Sequence, residues 1–142
     1  MADGNSIRVR LVTPEKIFVD GTAETVTLPA RSGYLEVLYA HAPLLTELGA
    51  GEVRLRGGNV GDQQFFVAWG FAEVLPGRVT ILADGAVRPS EIDLPEARAE
   101  LERGQRLWSE AGEEASRYEE AERVIHEAEQ RIAAAEAAGK SH

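Results

Sequence analysis

Apolar residues in this chain change their period once, near Arg88-Pro89-Ser90-Glu91-Ile92-Asp93. Before that point they alternate with polar residues in short runs, the period-2 mark of half-buried strands. After it they recur every three or four residues, the mark of a helix face. A chain of this kind folds as a β body followed by a helical appendage, and the reading divides it into residues 1–89 and 90–142.

Within the first part, Ile7–Val12 alternates cleanly, Thr13-Pro14-Glu15-Lys16 is a turn, and Ile17-Phe18-Val19 is a strand. Asp20-Gly21 then reads as a hairpin turn. Ala23–Leu28 is a strand that stops at Pro29. From Ser32-Gly33 the chain runs apolar through Leu35, Val37 and Leu38, turns at His41-Ala42-Pro43, and resumes at Leu44-Leu45. Proline biases Ala42 away from helix, so this stretch is strand, turn, strand. Val53–Arg56 follows Gly49-Ala50-Gly51. Gln63–Trp69 and Phe71–Leu75 read as two strands parted by Gly70, and Val79–Leu82 ends the series at Ala83-Asp84-Gly85. Roughly eight or more short strands with turns between them give an antiparallel β-sandwich or barrel.

In the second part Asp93 or Ser90 caps a helix over about 93–109, with Pro95 tolerable in its first turn. Ala97, Leu101, Gly104 and Trp108 form its stripe, and Ser109–Gly112 is a hinge. A second helix, about 113–138, carries Tyr118, Ala121, Ile125, Ala128, Ile132 and Ala135 as a narrow coiled-coil seam. Small seam residues bury little area, so the antiparallel pair is weakly held.

Charge separates the two parts. Residues 1–89 hold ten acidic and eight basic side chains, for −2; residues 90–142 hold fourteen and seven, for −7; together these make the net −9. That balance argues against binding nucleic acid through phosphates. There are no cysteines, which removes thiol catalysis, thiolate zinc and disulfides. No basic, apolar leader opens the sequence, and no apolar run reaches the roughly 18–20 residues that cross a bilayer. The expectation is a soluble protein.

Chemistry has little support. The three histidines, His41, His126 and His142, share no metal-ligand spacing, and no phosphate-cradling glycine motif is present. His41 reads as a turn or interface residue, His126 as solvated helix, and Asp84 as a turn residue. The tail glutamates form a solvated face. Trp69 and Phe71 flank Gly70 and fall on one face, expected in the core. Trp108 is core or a partner anchor. No catalytic residue, metal ligand or cofactor is assigned.

Ala40-His41-Ala42-Pro43-Leu44-Leu45-Thr46-Glu47-Leu48 resembles a segment of the ε subunits of F-type ATP synthases, where the family pattern is Gly-His-Ala-Pro-Leu-Leu-Thr-x-Leu. Val12–Lys16, Gly70–Val74, Val79–Asp84 and Leu94–Ala99 resemble further family segments, in the same order along nearly the whole chain. The resemblance implies a sandwich of about ten antiparallel strands followed by an α-helical hairpin. It implies a non-catalytic rotor subunit that couples proton translocation to ATP synthesis. The implied partners are the γ subunit, the ring of c subunits and the αβ catalytic head, at the cytoplasmic face of the bacterial plasma membrane, peripherally and without lipid insertion. It also implies that the helices inhibit ATP hydrolysis when extended.

Two departures stand out. Glu36-Val37-Leu38-Tyr39-Ala40 replaces the family's usual proline and glycine before the histidine, which alters the docking surface. The candidate interface residues are accordingly Glu36, Tyr39, His41, Pro43, Thr46 and Trp108. Some members bind ATP through Ile/Leu-Asp-x-x-Arg-Ala and arginines of the second helix. Here Pro95 stands at the aspartate position, with Asp93 two residues earlier as the alternative; Arg98 and Ala99 remain, Arg131 fits, and Glu127 occupies an expected arginine position. Asp93, Arg98 and Arg131 are the nucleotide candidates, and binding is expected to be weak or absent. The rival readings are a free β-sandwich module with a helical oligomerisation tail, and a small enzyme using His41 and Glu36.

Overall fold

The computed structural model describes residues 5–140. The strands are β1 (Ile7–Val12), β2 (Ile17–Ala23), β3 (Thr25–Ala30), β4 (Gly33–Val37), β5 (Leu44–Arg56), β6 (Gln63–Leu75) and β7 (Arg78–Val87). A 3₁₀ turn, Pro89–Glu91, precedes the helices α1 (Leu94–Ser109) and α2 (Ala115–Lys140). Contacts divide the chain into two compact units, one ending at Arg88 and one beginning at Pro89.

The strands form one continuous sheet in the order β2-β1-β7-β6-β5-β3-β4. Laid flat, its two edges would stand roughly 29 Å apart at about 4.8 Å per strand. Yet a single core draws on all seven strands, from Val19 of β2 through Leu11, Ile81, Phe65, Leu55 and Leu28 to Val37 of β4. The sheet therefore folds over on itself as a β-sandwich.

The fold-over is written into the three long strands. Inward residues of β6 are Phe65 and Val67 in its first half, then Ala72 and Val74 in its second, so the alternation changes phase between them. β5 changes phase between Leu48 and Val53, and β7 between Ala83 and Ala86. At this level Trp69 has φ 62° and Gly70 φ 117°. A Cβ on Gly70 would lie 2.1 Å from the Leu82 carbonyl oxygen, so only glycine lets β6 pass there.

Several local expectations are corrected. Among the described residues there are seven strands rather than about ten, and Leu44–Arg56 and Gln63–Leu75 each run unbroken through glycines that look like turns. Likewise β7 continues through Ala83-Asp84-Gly85 to Val87. Asp20-Gly21 is not a hairpin. Asp20 pairs with Arg10 and Gly21 with Val9 inside the β1–β2 ladder, and Gly21 is small because Asn59 and Val60 press on it. Pro29 lies within β3 at the register shift between Thr27 and Ala30, an irregularity where proline's missing N–H is tolerated. One pairing, β1 with β7, is parallel. Finally, Phe71 is 50% exposed and Trp69 half-buried, because the phase change puts Ala72 inside instead.

In the helical unit, Asp93 is the N-cap of α1, its carboxylate accepting from the Glu96 N–H at 3.1 Å, with Pro95 in the first turn. Ala97, Gly104, Ala121 and Ala128 are buried in the seam. A Cβ on Gly104 would stand 2.7 Å from Ile125 Cγ1 and 3.2 Å from the Ile125 nitrogen, so this glycine sets how closely the helices approach.

Candidate interaction site

Four strands bring exposed apolar side chains into one row. Ile17 of β2 is opposite Val12 of β1, Val12 is opposite Leu82 of β7, and Leu82 is opposite Phe71 of β6. Ile17, Leu82 and Phe71 are each half exposed or slightly more, and Leu45, on the neighbouring strand, is 71% exposed. Three strand spacings make the row about 14 Å long. Polar partners border it: Glu47 lies opposite Phe71, and Leu45 opposite Glu73. Arg31 holds Glu47 at 3.3 Å, and Arg8 and Arg10 approach Asp20 at 3.1 and 3.9 Å. A contiguous apolar patch with a polar rim is the anatomy of a protein-docking surface.

The residues singled out from the sequence sit elsewhere. Glu36 is exposed on β4, across from Thr27. Thr46 shares the face of buried Leu48 and is half-buried, its hydroxyl donating to the Glu47 carbonyl at 3.3 Å. Tyr39, His41 and Pro43 come together in the loop between β4 and β5. There the His41 N–H donates to the Leu38 carbonyl at 3.1 Å, and His41 Nδ1 lies 2.7 Å from the Ala42 carbonyl oxygen. That loop is tied to the β6–β7 turn. The Gly77 N–H donates to the Tyr39 carbonyl at 2.7 Å, and the Gly77 carbonyl accepts from the Arg8 N–H at 2.9 Å. Leu38, Tyr39 and Leu44 remain exposed around this end of the sandwich. Trp108 belongs to the helical unit, edge-on to Tyr118 at 4.7 Å.

Between α1 and α2 lies a shallow cavity of about 110 Å³, floored by Ala97, Val124 and Ala128 and ringed by Glu96, Glu100, Glu127, Arg103 and Arg131. Three carboxylates against two guanidiniums leave it one charge negative. Arg131 donates to Glu127 at 2.7 Å, and Arg103 to Glu100 at 2.6 Å. The Glu100 hydrogen bond also raises the Arg103 pKa above its ordinary value. Asp93 is engaged in capping, and Arg98 faces Glu136 at 3.7 Å.

Among the described residues, no group of three or more His, Asp or Glu side chains is arranged to hold a metal, and His41 and Glu36 do not meet as a catalytic pair. Among those residues, too, no helix is long and apolar enough to cross a membrane.

Comparison with known proteins agrees with the fold. Residues 6–89 match the family model described as ATP synthase, Delta/Epsilon chain, beta-sandwich domain. The ATP synthase epsilon chain of Koribacter versatilis is 44% identical over 80% of this chain and 78% of its own. The chloroplastic epsilon chain of Emiliania huxleyi is 44% identical over 75% of this chain and 81% of its own. In fold, the chain is similar to one in the mitochondrial ATP synthase OSCP/F1/c-ring assembly of Euglena gracilis. The TM-score is 0.76 at 21% identity, covering 91% of this chain and 81% of that one. With residues 6–89 matching the sandwich model and relatives 44% identical over three quarters or more of its length, this chain belongs to the epsilon-chain family of the ATP synthases.

Proposed function

We propose that this epsilon chain, a non-catalytic subunit of an ATP synthase, works as part of the turning central stalk. It binds the γ subunit through the row Ile17, Val12, Leu82 and Phe71, and it faces the ring of c subunits with the loop end around Tyr39 and His41. The row is the observation that carries this reading, because it sets exposed aliphatic and aromatic groups side by side within a charged rim. Aromatic and branched side chains that lose water on docking supply the hold a rotor needs under torque. The charged rim fixes register. The chain sits peripherally, held by its partners at the cytoplasmic face of the bacterial inner membrane, and inserts nothing into lipid.

The helical hairpin is the regulatory part. Its seam of alanine and glycine holds it weakly, so it can leave its folded form and inhibit ATP hydrolysis by reaching the αβ head. ATP does not serve as its ligand, because the negative ring of the interhelical cavity opposes phosphate. The test is a titration of purified αβγ with this chain, reading binding and ATP hydrolysis together. The reading expects tight binding with falling hydrolysis, and binding without inhibition after truncation at Pro89. Absence of binding would replace it with a free sandwich module, whose helices would drive self-association instead.

A further inference from the structure

We propose that Trp108, Tyr118 and Gly112 form a latch that sets how often the helical hairpin opens. The Trp108 and Tyr118 rings meet edge to face at 4.7 Å and 74°, across the turn that joins the helices. The Tyr118 hydroxyl donates to the Gly112 carbonyl at 2.9 Å. Gly112 itself has φ 63°, and a Cβ there would meet nothing within 4 Å. Its glycine thus serves the backbone conformation rather than packing. Apart from the His126 imidazole these are the only aromatic rings on α1 and α2, while the seam beyond them is built on Ala97, Gly104, Ala121 and Ala128. The strongest local contacts therefore sit at the turn.

The sequence supplies the competing state. Leu101, Gly104, Trp108, Ala111, Ala115 and Tyr118 recur at three, four, three, four and three, so the stripe of α1 keeps helical phase through the turn and reaches Tyr118 unbroken. Glutamate and alanine fill most of the turn and favour helix; Gly112 is the residue that does not. Were the latch released, residues 110–114 would be free to take up helical geometry and the hairpin to straighten. Closed, the rings and the phenol hold the left-handed kink at Gly112. This inference rests on the proposed opening of the hairpin and is independent of the docking reading.

The absence of native cysteine makes the opening measurable. Ala128→Cys places a thiol where 2% of the side chain is exposed, and in the full-length free chain its labelling by a thiol reagent tracks the open fraction. Trp108→Ala and Gly112→Ala should each raise the labelling rate about tenfold, and Tyr118→Phe about threefold, for a lost ring contact, turn conformation or phenol bond respectively. Tyr118→Phe keeps the ring and should leave the far-ultraviolet helix signal unchanged, so it decides the matter if Trp108→Ala loses helix. Arg98→Gln, which removes only the exposed ion pair with Glu136, should not alter the rate. Rates within twofold of the parent for Tyr118→Phe and Gly112→Ala would overturn the latch. So would an equal rise with Arg98→Gln.

Discussion

Replacing Gly70 with alanine is the sharpest perturbation of the sandwich. Gly70 has φ 117°, a region that costs a residue with a Cβ about 1–3 kcal/mol. The added Cβ would also lie 2.1 Å from the Leu82 oxygen, 3.0 Å from Ala83 Cα and 3.1 Å from the Leu82 carbonyl carbon, all backbone atoms. No rotamer relieves that contact; β6 and β7 must separate where Gly70 pairs with Ala83. Losing one or two ladder hydrogen bonds adds about 1 kcal/mol each, for a total of about 2–5 kcal/mol. At about 0.05–0.15 kcal/mol per residue, the unit ending at Arg88 has about 4–13 kcal/mol to lose. Thermal unfolding followed by circular dichroism should therefore show Tm lower by at least about 8 °C. Gly85→Ala is the control: its Cβ would meet nothing within 4 Å and its φ is ordinary, so Tm should move by a few degrees at most. A Gly70→Ala chain melting with the parent would refute the reasoning, for β6 would not run through that level as described.

Three further outcomes follow from the helical unit. Gly104→Leu should splay α1 from α2, since overpacking costs about 1–3 kcal/mol and the better helix former returns only about 1; proteolysis of the hairpin should quicken, and unchanged resistance would contradict the close approach at Ile125. Equilibrium dialysis should detect no sub-millimolar ATP binding, and Glu127→Arg, which makes the ring of the cavity net positive, should raise affinity. Sub-millimolar binding by the parent would overturn the electrostatic account. Inhibition of hydrolysis by this acidic unit should weaken as salt shortens screening from about 10 Å at 0.1 M to about 3 Å at 1 M, and salt-independent inhibition would count against ionic contacts with the head.

Signals carried by neighbours in sequence were legible. The change of period at residues 88–93, the strand-turn-strand around His41, and capping by Asp93 all rest on local chemistry. The misreadings share one cause. Gly21, Gly70 and Pro29 look like punctuation because glycine and proline usually mark turns. Here Gly21 makes room for Asn59 and Val60, Gly70 makes room for the Leu82 carbonyl, and Pro29 sits at a register shift. Those neighbours are distant in sequence. The candidate site was hidden for the same reason. Ile17, Val12, Leu82 and Phe71 form a row only through the registers of four strands, one pair of them parallel, and no spacing along the chain announces it. The motif around His41 drew attention to the loop end, while the phase change that turns Phe71 outward left no local mark beyond Gly70.

The most direct measurement is affinity for the purified γ subunit, taken on the full-length chain and on the double variant Phe71→Glu, Leu82→Glu. Both side chains are about half exposed, so the variant should keep the parent's Tm. The account predicts that its binding to γ weakens at least about a hundredfold, as expected when central apolar anchors are replaced by charge. A folded double variant that binds γ as tightly as the parent would contradict it, and would move the docking surface off this row.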